Sequence, residues 1–364
     1  MKIKSLKLIN FKNYEKEEFV FSNGVNVVSG ENAQGKTNLL EAIFYLSCVK
    51  TIHAKKERDL ILFNQNGASL FAEVESKERN FEVKIDISNA PRKIFVNGVR
   101  REKVTEYIGS IRCVLFIPDD LSMIKEGPFI RRRFLNIAIS QLKPNYLNAL
   151  AIYNKILVQK NKLLKQQNVD DILLDIYNEK LAKYGSVIIK YRRDFVESLA
   201  REAGKNHYDM SNGKEILQIV YKTDRYVSGD CDIETQLYRH MYERKTAEKE
   251  SEMSLIGPHR DDLLFVINGV SAKDFASQGQ IRTAILSTKL AEREVFYSLT
   301  GEYPILLLDD VLSELDETRQ NYVLNKIDCG QVFITSCENL ISPVLENGKR
   351  FEIEKGSLKE SREF

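Results

Sequence analysis

The chain has 364 residues, 43% of them hydrophobic and 29% charged, with 7 prolines and 18 glycines. That is enough apolar material for one large domain or two ordinary ones, and it excludes wholesale disorder and collagen-like order. Lys plus Arg is 54 and Asp plus Glu is 52, a net charge of +2, so binding to nucleic acid would need a local patch. No run approaches the roughly 18 apolar residues of a membrane-spanning helix. The opening residues from Met1 to Lys7 lack the apolar stretch of a secretory signal. The five cysteines (Cys48, Cys113, Cys231, Cys329 and Cys337) form no CxxC pair. This argues against a disulfide framework or zinc site and for a reducing, cytoplasmic setting.

In chain order, the first third predicts mostly strands. Ile3, Leu6, Leu8 and Ile9 alternate within Lys2 to Asn10, and short β-prone runs follow at Phe19 to Phe21 and Val25 to Val28. From Asn38 the period becomes helical, with Leu39, Ile43 and Leu46 on one face. Strands are predicted again at Leu70 to Glu75, Phe81 to Ile87, Lys93 to Val96 and Ile111 to Ile117. Between Tyr146 and Arg201 the residues Leu150, Leu157 and Leu164 recur every seven. Tyr177, Leu181, Tyr184, Ile188, Tyr191, Phe195 and Leu199 step by three or four. The polar run Gln166 to Asp171 separates the two stripes, so an antiparallel helical hairpin is expected, each arm about 25 residues or roughly 40 Å. Mixed α/β pattern returns near Glu252: a strand at Leu263 to Ile267, a helix at Gln280 to Leu299, and apolar strands at Pro304 to Leu308 and Gln331 to Thr335. A run apolar at every position suits a central strand covered on both faces.

Gly30-Glu31-Asn32-Ala33-Gln34-Gly35-Lys36-Thr37 fits GxxxxGK[ST] between a predicted strand and a predicted helix. The glycines permit a tight backbone concavity with inward N–H groups, and the helix terminus adds positive potential. Lys36 would reach the β- and γ-phosphates of ATP, and Thr37 would ligate Mg²⁺. A carboxylate on a neighbouring strand is then required, and Ile305 to Leu308 ends in Asp309 and Asp310. Asp309 is expected to bind the metal, and Asp310 to position or deprotonate the attacking water. The separation of Gly30 from Asp309 far exceeds that of a compact Ras-like core. Something substantial is inserted, and the helical hairpin is the candidate.

Phe275 to Gln280, followed by a predicted helix, resembles the signature motif of ABC-type ATPases. The resemblance places Ser277, Gly279 and Gln280 against a second nucleotide's γ-phosphate, in a two-fold dimer held together by ATP. Ser313-Glu314-Leu315-Asp316 resembles the D-loop of the same superfamily. Four further stretches are similar to RecF-like ATPases: Leu8 to Tyr14, Val114 to Leu121 running on to Lys125-Glu-Gly-Pro128, Arg131 to Leu135, and Leu255 to Leu263. That resemblance implies an α/β fold: an ABC-type ATPase head with an inserted helical lobe. Residues 1–128 and 252–364 would form the ATPase lobe, and 129–251 the insertion. It adds Asn13 to the nucleotide-binding residues.

The function implied is that of a weak, DNA-stimulated ATPase in recombinational repair, replication-fork maintenance and the SOS response. The ATP-bound dimer would bind double-stranded DNA at gaps and single-strand/double-strand junctions and help load RecA with RecR and RecO. Candidate DNA contacts are Lys55, Lys56, Arg58, Arg92, Lys93, Arg100 and Arg101; Arg131 to Arg133 could equally be structural. Of the four histidines (His53, His207, His240, His259), only His259 lies in a RecF-like stretch and is a candidate for a role near DNA or nucleotide. Two departures from the wider superfamily stand out. The residue after the metal-binding acid is Asp310 where Glu is usual, so hydrolysis is expected to be slow. No switch histidine follows the last strand, where Thr335, Ser336 and Cys337 stand. The competing function is an ATPase subunit coupled to a membrane transporter, which DNA-independent hydrolysis would favour.

Overall fold

The computed structural model describes residues 1–54, 56–223, 232–336 and 348–364. Lys55, Cys231 and Cys337 therefore lie outside the described residues. Two compact units are present, one of residues 1–120 with 289–364 and one of residues 121–288.

In the first unit, strands β1 (Lys2–Phe11), β2 (Tyr14–Val20) and β3 (Val25–Ser29) lead into helix α1 (Lys36–Cys48). Strands β4 (Gly67–Glu75), β5 (Asn80–Ser88), β6 (Lys93–Val96), β7 (Val99–Arg101) and β8 (Cys113–Phe116) follow. The second unit holds α2 (Ser122–Lys125), α3 (Pro128–Leu142), α4 (Pro144–Leu164), α5 (Asp171–Met210), β9 (Leu217–Lys222), α6 (Ile233–Glu243), α7 (Lys245–Ser251), β10 (Asp262–Ile267), β11 (Val270–Ser271) and α8 (Ala272–Phe275). Helix α9 (Gln278–Thr300) returns the chain to the first unit, which ends in β12 (Ile305–Leu308), α10 (Glu317–Lys326), β13 (Val332–Ser336), β14 (Lys349–Glu354) and β15 (Ser357–Glu363).

Two six-stranded sheets build the first unit. One is antiparallel, in the order β2-β1-β4-β5-β6-β7; the other runs β15-β14-β3-β13-β12-β8. In the second sheet β14, β3, β13, β12 and β8 are parallel, and β3, β13, β12 and β8 are buried at every residue. This is the pattern expected of strands covered on both faces. Aromatic rings lock the sheets together: Phe21 packs edge-on against Phe333 at 4.7 Å and against Phe351 at 5.4 Å, and Phe19 meets Phe351 at 6.1 Å. Strand β2 begins at Tyr14, five residues before the predicted start. Its Glu15, Lys16, Glu17 and Glu18 mask the alternation because they lie on an edge strand facing water.

The second unit is helical with a small sheet in the order β11-β10-β9. The hairpin exists, and its tip is a cluster of Leu163, Leu164 and Leu174 flanked by Val169, Leu173 and Tyr177. Asp170 caps α5 by accepting from the amides of Ile172 and Leu173 at 2.9 and 3.1 Å. The second arm is longer than expected. Helix α5 runs for 40 residues, about 60 Å, because its buried stripe continues through Ala203, Asn206, His207 and Met210. The unit boundaries fall at 120/121 and 288/289, where the sequence suggested 128/129 and 251/252. Strand β10 pairs with β9 from Asp262↔Lys222 to Ile267↔Leu217, which draws residues after 252 into the helical unit.

Most of the RecF-like stretch Leu255 to Leu263 packs into this unit, with Arg260 exposed. Arg192, 2% exposed, donates to the Pro258 carbonyl at 2.7 Å, to Asn136 Oδ1 at 2.9 Å and to Tyr146 Oη at 3.1 Å, with Asp261 at 3.7 Å. His259 receives or donates at Nδ1 to the Tyr153 hydroxyl at 2.7 Å, and its Nε2 lies 3.1 Å from the Ser254 carbonyl. Desolvation lowers its pKa to about 4, so it is neutral near pH 7. Arg131 is likewise structural: its guanidinium holds Asp262 through two bonds of 2.5 and 2.9 Å and donates to the carbonyls of Met123 and Glu126. Replacing one partner strands the other. Arg131→Met is expected to lower stability by about 3 kcal/mol, read as a lower midpoint in urea denaturation; a loss below about 1 kcal/mol would contradict this role.

Candidate functional site: a phosphate cradle at the ends of parallel strands

The carboxyl ends of β3, β13 and β12 lie side by side, which is where open parallel sheets bind ligands. The loop 30–35 leaves β3 and enters α1, and its backbone is held open by Gly30 at φ 149° and Gly35 at φ 124°. Both positions also require close approach. A Cβ on Gly30 would lie 2.5 Å from the Ile353 carbonyl oxygen, and one on Gly35 would lie 2.8 Å from Asn13 Nδ2.

Donors from outside the loop take up its carbonyls. Asn13 Nδ2 and the Gly356 amide both donate to the Gln34 carbonyl at 2.9 Å, and the Tyr14 hydroxyl donates to the Gly35 carbonyl at 2.9 Å. Burial raises the Tyr14 pKa far above its ordinary value, so the hydroxyl keeps its proton. Asn38 Nδ2 donates to Asn13 Oδ1 at 2.8 Å, fixing the Asn13 amide. With these carbonyls engaged from behind, the loop can turn N–H groups toward an anion. Lys36 is buried at 4% exposure, and its ammonium donates to the Gly30 carbonyl at 2.7 Å. Glu31, Asn32 and Ala33 are exposed.

Asp309 meets the end of this loop. The Thr37 hydroxyl donates to Asp309 Oδ1 at 3.1 Å, and the Thr335 hydroxyl donates to the same oxygen at 2.7 Å. Burial raises the Asp309 pKa, opposed by those two hydroxyls and assisted by the neighbouring Asp310. Asp310 takes a left-handed backbone at φ 51°, and its amide donates to Thr335 Oγ1 at 2.8 Å. Thr335 thus ties both acids together from the neighbouring strand β13. No sequence motif marks Thr335 for this part. Its hydroxyl is 1% exposed as part of the residue and is occupied by the acids, so it orients them.

The remaining candidates lie elsewhere. Ser277, Gly279 and Gln280 belong to the second unit, in a turn that starts α9. The Ser277 amide donates to Gln280 Oε1 at 2.8 Å and the Gln280 amide donates to Ser277 Oγ at 3.2 Å, a reciprocal cap. Among the basic candidates, Lys56, Arg58, Lys93 and Arg100 are exposed and Arg101 half-buried, while Arg92 pairs with Glu57. Arg100 and Lys93 stand at the β6–β7 edge of the antiparallel sheet. Among the described residues no group of three or more His, Cys, Asp or Glu could hold a metal, and no helix is long and apolar enough to cross a membrane.

Comparison with known proteins places this architecture. The family description "RecF/RecN/SMC N terminal domain" matches residues 2–354. A curated relative from Listeria welshimeri, a DNA replication and repair protein RecF, is 42% identical over 99% of this chain and 100% of its own. The solved structure of the recombination mediator protein RecF bound to an ATP analogue superposes with a TM-score of 0.90 at 36% identity, covering 98% of this chain and 97% of that one. An Smc head domain from Pyrococcus furiosus shares the fold at a TM-score of 0.59 and 15% identity. With the α/β ATPase-head fold, the helical insertion and a full-length relationship in hand, the chain belongs to the RecF family of DNA replication and repair proteins.

Proposed function

We propose that the chain binds MgATP in the cradle of Gly30 to Thr37, associates with a second copy when ATP is bound, and in that state binds DNA in cytoplasmic recombinational repair. The observation that carries this is the convergence of Thr37, Asp309 and Thr335 at the mouth of the phosphate loop. Lys36, now on the Gly30 carbonyl, would turn to the β- and γ-phosphates. Thr37 and Asp309 present hard oxygens at one point, a donor set that fits Mg²⁺ completed by phosphate and water. Bound there, the ion would neutralise developing phosphate charge. Asp310 would hold and deprotonate the attacking water, slowly because its carboxylate is short.

The turn at Ser277 supports the ATP-bound dimer. The fold does not itself demand glycine at 279: a Cβ there would meet only Ser277 Oγ, at 4.0 Å. A ligand seated closely on the turn would demand it. Ser277 is exposed, and its cap uses the hydroxyl oxygen only as an acceptor, leaving the proton for a phosphate oxygen. The dimer would use Lys56, Arg58, Lys93, Arg100 and Arg101 on DNA phosphates at gaps and single-strand/double-strand junctions. It would work with RecR and RecO to load RecA, with DNA stimulating hydrolysis. Family membership removes the ground for a transporter subunit.

The test is sedimentation velocity with ATP, ADP and no nucleotide, paired with fluorescence anisotropy on duplex DNA across a salt series. ATP alone should give a dimer, and Ser277→Arg should abolish it while monomer ATP binding persists. DNA affinity should rise with ATP and fall steeply with salt. A monomer in ATP, or equal and salt-independent DNA binding with ATP and ADP, would refute the proposal.

A further inference from the structure

Glu215 lies in the loop between α5 and β9, with no motif to mark it, yet it reaches the turn at Ser277. Its Oε1 accepts from Gln280 Nε2 at 2.8 Å, and its Oε2 meets His207 Nε2 at 2.9 Å. His207 is fully buried in the last turn of α5. The loop is itself anchored: the Glu215 amide donates to Ser211 Oγ at 3.1 Å, and the Ile216 amide to Asn268 Oδ1 at 2.8 Å. A second link joins the same two helices, since Asn206 Nδ2 donates to the Ser287 carbonyl at 3.4 Å.

We propose that Glu215 is a positioning residue for the ATP-contacting turn, acting through the side-chain amide of Gln280. A glutamine amide can present either end, and its neighbours decide which. A carboxylate only accepts, so Glu215 forces Nε2 of Gln280 toward itself. The amide oxygen is thereby turned to the Ser277 N–H, completing the cap that holds the Ser277 hydroxyl in place. His207 fixes the other carboxylate oxygen, so the orientation of the turn is set from the end of the 40-residue helix α5. The inference rests on the ATP-bound dimer proposed above.

The experiment compares wild type, Glu215→Ala and Glu215→Gln. Glu215→Ala should weaken ATP-driven association roughly tenfold, the scale of one capping contact. Exchange of the Ser277 and Gln280 amides with deuterium should accelerate in the monomer. Binding of a fluorescent ATP analogue to the dilute monomer should stay unchanged, because the cradle lies in the other unit, while the melting temperature falls modestly, since the buried His207 loses its Nε2 partner. Glu215→Gln keeps an oxygen acceptor for Gln280 and should remain within about threefold of wild type. A wild type that stays monomeric in ATP overturns the dimer and this inference together. If wild type associates but Glu215→Ala associates equally, or exchanges those amides at the wild-type rate, the inference alone falls. It also falls if nucleotide binding drops in step with association, or if Glu215→Gln is as damaged as Glu215→Ala.

Discussion

Lys36→Met should weaken ATP binding about 100-fold, because one charge-assisted contact to phosphate, about 3 kcal/mol, disappears. The effect on the fold should be small. Methionine fills a similar volume; the Gly30 carbonyl, 2.7 Å from the ammonium, and the Glu31 carbonyl, at 3.4 Å, lose a donor, which costs about 1 kcal/mol. Thermal denaturation separates the two effects. With ATP at 100 times the wild-type Kd, wild type gains about 2.7 kcal/mol, whereas a variant weakened 100-fold gains only about 0.4 kcal/mol. Titration calorimetry should show the same loss of affinity directly, and ATP-driven dimerisation should vanish. Undiminished affinity would show that the ammonium does not leave the Gly30 carbonyl for the phosphates, and the cradle would need another occupant.

The sequence announced the site where its parts are contiguous and concealed it where they are not. Gly30 to Thr37 is one unbroken motif, and Asp309 and Asp310 follow an apolar strand, so both halves were legible. The supports were not. Tyr14 holds the Gly35 carbonyl from 21 positions away, and Thr335 reaches Asp309 from 26. A single hydroxyl at such a distance leaves no pattern in its neighbours. Strand β15 escaped for a different reason: its exposed charges, such as Lys359 and Arg362, lie on the edge strand of the sheet and leave no apolar alternation. The triplet Arg131 to Arg133 looked like a charge cluster, although Arg131 is spent on Asp262 in the interior. Buried ion pairs and exposed patches share a composition; only partners across the fold distinguish them.

Asp310→Asn should reduce single-turnover hydrolysis at least about 100-fold while leaving ATP binding and the ATP-driven dimer intact, since it removes a general base and keeps the side chain's size. The structure explains why the fold should tolerate it. Residue 310 sits at φ 51° and uses its backbone amide, not its side chain, to reach Thr335. Asparagine is at home in that left-handed region, where glutamate is strained. The same geometry accounts for aspartate where a longer acid would reach the water better. Asp310→Glu would gain reach but strain the backbone, and that strain would disturb Thr335 and through it Asp309. Hydrolysis should therefore not rise in Asp310→Glu. Asp309→Asn, by contrast, should lose Mg²⁺-dependent ATP affinity together with hydrolysis, because Asp309 shares its oxygen with Thr37. Rapid-quench single turnovers beside sedimentation velocity distinguish these outcomes. Wild-type hydrolysis in Asp310→Asn, or parallel loss of nucleotide binding, would move the water-activating role away from this residue.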